Sequence, residues 1–177
     1  GEEWQSFPDG MGFRVSDGYE IVARLHYLNT TSVTLEVSPR YDWYTVDEST
    51  ITTELGPFAW ALSGWEIAPL SSLTVSTDCR PKGPMHIVNI LPHMHRLGVE
   101  MFGEFVGGPH DGERFLDSIG YDPSNGVLTQ YHPAVDLSEA EQFRFGCSWK
   151  NTTDKTIVEG VGDNEMCMAF GYAYPYE

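Results

Sequence analysis

Long hydrophobic runs are missing from this sequence. No stretch of its 177 residues approaches the roughly 20 consecutive apolar residues that a membrane-crossing helix needs. No signal-peptide pattern is visible either. The chain opens on Gly1 rather than Met, which reads as a processed or trimmed product. Positive charge is scarce: 10 Lys and Arg stand against 26 Asp and Glu, for a net charge of -16. A field of that sign repels phosphate backbones and argues against nucleic acid as a partner. It attracts cations weakly, which does not by itself define a metal site. Cysteine is sparse, with only Cys79, Cys147 and Cys167 and no Cys-x-x-Cys pair, so zinc-ribbon and thioredoxin-type readings fail. The Gly-x-Ser-x-Gly elbow, the P-loop and the dinucleotide fingerprint are all absent. Convincing helical periodicity is rare.

Short alternating runs bounded by Gly, Pro, Asn and Thr are what the chain does contain. They predict an all-β fold, a single antiparallel β-sandwich domain spanning 1–177, with enough residues for a real core. Tyr19 to Tyr27 reads as a strand, and after the Asn29-Thr30-Thr31 turn Val33 to Val37 reads as the next. The pattern recurs as Phe143 to Trp149, Asn151-Thr152-Thr153-Asp154 and Thr156 to Glu159. Both Asn29 and Asn151 stand in Asn-x-Thr sequons. Strands are also expected at Ser71 to Asp78, Met85 to Ile90, Val99 to Val106 and Met166 to Tyr174, with one helical turn at Ser138 to Gln142. Pro92 lacks a backbone N–H and marks an edge or a bulge. Cys147 and Cys167 flank one hairpin. They can close a disulfide, which implies an oxidising compartment, or stay as two buried thiols.

Two stretches carry the chemistry: Leu91-Pro92-His93-Met94-His95-Arg96-Leu97-Gly98 and Asp163-Asn164-Glu165-Met166-Cys167. In an extended strand, residues two apart share a face about 7 Å apart along the chain. The imidazoles of His93 and His95 can therefore lean onto one metal. A thioether from Met166 on a distant strand completes a soft three-ligand site with an open position. That donor set selects copper, because thioether favours Cu(I) and imidazole suits both copper oxidation states. Zinc more often takes a carboxylate or thiolate as its third ligand. His86 falls at odd spacing from His93, on the opposite face of a regular strand unless Pro92 introduces a bulge. His110 and His132 lie beside prolines in loops and are expected to face solvent.

The ordered set His93-Met94-His95, Leu97-Gly98, Cys147 and Asp163-x-Glu165-Met166-Cys167 resembles the C-terminal domain of the copper type II, ascorbate-dependent monooxygenases. The likeness runs from about Tyr19 to Tyr174. It implies a β-sandwich of jelly-roll type, with His93, His95 and Met166 holding the copper where O2 is activated. It implies a Cys147–Cys167 disulfide and gives Cys79 a partner further along the family chain. The family's second copper takes three histidines, two of them an adjacent pair in an upstream domain. This chain has no His-His pair, and His26, in the strand ending His26-Tyr27, resembles the third ligand as a remnant of that site. The positions that grip a substrate carboxylate in the peptide-hydroxylating members are occupied here by Leu91, Met168 and Phe170, which disfavours a peptidylglycine substrate.

The expectation is a secreted or periplasmic copper domain of a monooxygenase that uses O2 and a reductant, ascorbate or another, to hydroxylate a C–H bond. A non-catalytic copper-binding or interaction module on the same scaffold is the alternative.

Overall fold

The computed structural model describes residues 5–23, 27, 29, 31–123 and 126–175. These residues form twelve strands and two single 3-10 turns, with no α-helix among them. In chain order the strands are β1 (Met11–Gly12), β2 (Thr53–Glu54), β3 (Gly56–Ala61), β4 (Glu66–Ile67), β5 (Ser72–Cys79) and β6 (His86–His93). They continue as β7 (Gly98–Val106), β8 (Arg114–Asp117), β9 (Thr129–Asp136), β10 (Gln142–Lys150), β11 (Ile157–Val158) and β12 (Met168–Tyr174). Two four-stranded antiparallel sheets dominate, ordered β3-β12-β6-β9 and β5-β10-β7-β8. Two-residue pairs, β1 with β2 and β4 with β11, lie outside them.

The eight long strands pair in a nested way. The first pairs with the last, β3 with β12, and the second with the seventh, β5 with β10. The third pairs with the sixth, β6 with β9, and the fourth with the fifth, β7 with β8. Pairing of β12 with β6 and of β10 with β7 completes the sheets. The chain is therefore one long antiparallel ribbon folded over on itself, and the expected all-β sandwich forms.

Inward positions of the two sheets fill the space between them, as period-2 alternation requires. Trp60 of β3 stacks on Phe143 of β10 with ring centroids 4.6 Å apart and lies 5.7 Å from Phe145. Ile87, Ile90, Met101, Phe145, Cys147, Trp149 and Ala169 are at most 1 % exposed. A Cys147–Cys167 disulfide bridges the layers. Two glycines make room for a ring from a neighbouring strand of their own sheet. A Cβ on Gly171 would collide with the carbonyl of Asn89 and the Phe58 ring, and one on Gly146 with the Phe102 ring. On the outer face of the β3-β12-β6-β9 sheet, Phe7 and Phe13 cover Tyr172, with centroids 4.9 and 5.3 Å away. The other end of that face, around Phe170, stays open.

Most expected strands form within a residue or two, while the helical turn expected at Ser138 to Gln142 is only the shorter 3-10 turn Leu137–Glu139, since Gln142 already begins β10. The first two strands differ. Tyr19 to Ala23, Tyr27 and Val33 to Val37 form no strand, and the remainder of Tyr19 to Tyr27 lies outside the described residues. Alternation makes a strand only where a neighbour accepts its backbone bonds and a facing layer takes its apolar side. Here neither is present among the described residues, and Tyr19 and Val22 are 76 and 82 % exposed.

The two Asn-Thr-Thr turns are the same hydrogen-bonded unit. Asn29 Oδ1 accepts from the Thr31 N–H and hydroxyl at 2.9 and 2.8 Å, and Asn29 Nδ2 donates to the Val33 carbonyl at 2.7 Å. Asn151 repeats this with Thr153 at 3.0 and 2.7 Å and with the Lys155 carbonyl at 2.8 Å. Side-chain mimicry of a turn explains the recurrence without a duplication. Asn151 is 1 % exposed and also donates to Ile67 and Ala68, which closes its amide to glycosylation.

Two outcomes follow for stability. Replacing Cys147 and Cys167 together by Ala should lower the unfolding free energy by about 3 kcal/mol, read from the denaturant midpoint. His110 Nδ1 lies 2.9 Å from Glu113 and Nε2 3.2 Å from Glu139, and the Glu113 bond foremost raises its pKa above the ordinary 6.5. Its contribution is complete below the unfolded value and is lost as pH rises through the folded one. The midpoint gap between wild type and His110→Gln should therefore be widest near about pH 5.5 and close on the alkaline side.

Candidate metal centre

Strand β6 has two neighbours only as far as Ile90. The β9 register ends at Ile90 opposite Thr129, while β12 continues alongside as far as His93. Pro92 thus sits where one side of β6 has no ladder to donate to, and its missing N–H costs nothing there. Beyond β6 the chain makes a reverse turn closed by Gly98 N–H donating to the His95 carbonyl at 3.1 Å. Gly98 lies against Met94, and a Cβ there would come within 2.8 Å of the Met94 Cβ.

Met94 points inward and is 1 % exposed, so His93 and His95 fall on the outward face, both half-buried. Their rings lie edge to face, centroids 5.4 Å apart and planes at 85°. His95 Nδ1 is 2.7 Å from the Asn164 carbonyl. A carbonyl only accepts, so Nδ1 carries the proton and Nε2 the lone pair. That is the arrangement of a metal-binding histidine oriented by a backbone oxygen.

The distant strand meets this pair directly. Met168 opposes His93 across the β6–β12 ladder, and Phe170 opposes Leu91. From Glu165 to Ala173 the odd positions are buried and the even ones are not. Met166 therefore shares the outward face with Met168 and Phe170, the face that His93 occupies. His93 and Phe170 have ring centroids 6.3 Å apart. Leu91, Met168 and Phe170 make the ground beside the pair apolar and uncharged. Among the described residues, no three of His, Cys, Asp and Glu converge to hold a metal ion, so the pair has no carboxylate or thiolate as a third donor. Two imidazoles and a thioether are a donor set that fits copper.

Two residues to which the sequence reading gave no role hold this region. Glu165 is fully buried, and its carboxylate accepts three N–H bonds. Leu97 N donates at 2.7 Å, His95 N at 2.9 Å and Trp149 Nε1 at 3.1 Å. Tyr121 accepts from Met94 N at 2.9 Å and donates to the Met94 carbonyl at 3.0 Å. Burial pushes its phenol pKa up. The sequence signals for Glu165 are its place in the Asp163-x-Glu165-Met166-Cys167 motif and its parity with Cys167 and Ala169 on the inward face.

The remaining expected residues lie elsewhere. His26 is outside the described residues. A register shift at Val88, not at Pro92, swings His86 to the outward face, where it stacks on Tyr174 at 4.8 Å and lies 3.7 Å from Asp136, at the far end of β6 from His93. His110 is tied to two carboxylates on the loops, and His132 is exposed on β9. Cys79 is a half-buried free thiol opposite Phe143, its pKa raised by burial and by Asp78.

No protein-family model matches the chain, and no curated protein matches it.

In the metal-free protein, nitrogen NMR of the imidazoles should find the neutral form of His95 as the Nδ1-H tautomer. An Nε2-H ring would break the link to Asn164.

Proposed function

We propose that this chain is the copper-binding domain of a copper-dependent monooxygenase of the type II, ascorbate-dependent class, with His93, His95 and Met166 as its ligands. The observation that carries the reading is cross-strand adjacency. The His93–His95 pair ends one strand, and the strand entered through Met166 is its hydrogen-bonded neighbour, facing the same way. The Cys147–Cys167 bond supports it, because it joins the two cysteines that the resemblance pairs. The nested pairing of eight strands supports the jelly-roll topology that the resemblance implies.

When bound, copper alternating between Cu(I) and Cu(II) supplies the one-electron chemistry by which O2 and a reductant such as ascorbate hydroxylate a C–H bond. The chain's own residues bind and orient. His93 and His95 are the strong donors, and Met166 is the soft donor that favours the reduced ion. Leu91, Met168 and Phe170 offer no charge to a substrate carboxylate, so the substrate is not anchored by one. The disulfide fits a secreted or periplasmic setting. None of the described helical segments is long and apolar enough to cross a membrane. An upstream domain carrying a His-His pair would supply the second copper, with His26 as its third ligand.

The absence of a His-His pair from the sequence favours one other reading, a non-catalytic copper-binding module on the same scaffold. Copper-loaded protein that consumes neither O2 nor ascorbate, even beside a domain bearing such a pair, would be that module.

Titration with copper tests the ligand set. Met166→Ala should weaken Cu(I) binding by about tenfold or more, the loss of about 1.4 kcal/mol or more, with a smaller effect on Cu(II). His93→Ala should weaken both. Unchanged Cu(I) affinity in the two variants refutes the site.

A further inference from the structure

We propose that Glu165 and Tyr121 are positioning residues that set the donor geometry of the His93–His95–Met166 site. The inference rests on the copper reading above. Beyond Ile90, β6 loses its β9 neighbour, so the segment bearing both histidines has a ladder on one side only. Side chains take over where the ladder stops. The Tyr121 hydroxyl engages both the N–H and the carbonyl of Met94, the residue between the two histidines. One Glu165 oxygen holds His95 N–H and the other holds Leu97 N–H, on either side of the turn.

The same glutamate precedes Met166 in the chain. One carboxylate thus ties the histidine segment to the thioether segment, across a sequence separation of 70 residues between Glu165 and His95. A ligand set must be held to within about 0.5 Å for its geometry to count. A clamp on the backbone of both segments meets that need.

Packing alone does not call for a carboxylate here. Burying a charge costs several kcal/mol before its partners repay it, and apolar replacements of similar volume are often neutral or stabilising. Glu165 is 0 % exposed, and two of its three donors come from the turn after β6 that carries His95, while the third is Trp149 on β10 of the other sheet. A residue kept only to fill the core has no reason to reach for the His95 amide.

The test uses copper alone as the probe, at a temperature well below every unfolding midpoint. Glu165→Gln puts an N–H2 where an acceptor is needed, and Tyr121→Phe removes both bonds to Met94. Each should lower Cu(I) affinity by about 10–100-fold and alter the Cu(II) electron paramagnetic resonance hyperfine splitting. Leu116→Ala, a core truncation on the other sheet, should lose stability and keep both copper readouts. Equal copper losses in Leu116→Ala overturn the positioning role, because general loosening then suffices.

Should Glu165→Gln fail to fold, wild type and Tyr121→Phe decide. Silver(I), a redox-inert stand-in for Cu(I), should shift the amide resonances of Met94, His95 and Leu97 and the Trp149 indole N–H in wild type. Metal binding without those shifts, and with Tyr121→Phe at wild-type affinity, overturns the proposal while leaving the copper site standing. A wild type that takes up no copper removes both.

Discussion

The Glu165 carboxylate cannot be buried without N–H donors, and three segments must converge to provide them. The turn after β6 gives His95 and Leu97, and β10 gives Trp149. Two residues further on, the Cys167 disulfide reaches back to Cys147 on the same β10 strand. Within three consecutive residues the chain is therefore fixed to both sheets, by a charge that demands partners and by a covalent bond. An unpaired buried carboxylate would cost several kcal/mol, a large share of the stability of a domain this size. Any register that separated β12 from the end of β6 would forfeit those donors, so the alignment of the two strands is specified by chemistry as well as by apolar alternation.

That dependence explains which parts of the fold could be read in advance. Phe143 to Trp149 and Met166 to Tyr174 alternate cleanly because each has one face on the core, and they form the centres of their sheets. Tyr19 to Ala23 and Val33 to Val37 alternate just as well and form no strand, since alternation says nothing about whether a neighbour exists. The reverse happens at β9, Thr129–Asp136, which carries Pro133 and several polar residues yet pairs with β6. Its position is decided by the nested pairing, which is a long-range property. At the candidate site the His-x-His spacing on a strand end was legible, because two-residue periodicity is local. The roles of Glu165 and Tyr121 were not, because a glutamate is ordinarily a surface residue and only the assembled fold shows what surrounds it.

The outward faces of the two sheets differ in character. On the β5-β10-β7-β8 sheet, Arg144 pairs with Asp78 and Glu104, and Arg114 pairs with Glu100 and Asp117. Four of the 26 acidic residues are answered there by two of the ten basic ones, in exposed or half-exposed pairs that water screens. The histidine-bearing face instead runs from Tyr172, covered by Phe7 and Phe13, to an open end of Leu91, Phe170, Met168, His93 and Met166. A soft thioether and imidazoles suit such ground. Nearby apolar side chains limit competition from water for the metal, while the acidic chain as a whole draws cations toward it.

Assembly of the candidate site is tied to assembly of the sheet. His93 and His95 belong to the third long strand and its turn, and Met166 leads into the eighth. The strand that follows Met166 lies beside the histidine strand only once β12 stands between β3 and β6, which joins the two ends of the ribbon. That pairing is among the most distant in the chain, and loop closure makes such contacts slow to form. No copper-ready arrangement of the three donors therefore exists before the fold closes, and a metal bound there stabilises the closed fold by its own binding free energy. The disulfide and the buried carboxylate hold the closure independently of metal. For the copper site proposed above, whose two oxidation states prefer different geometries, a frame held by hydrogen bonds and a disulfide would limit how far the ligands rearrange at each change.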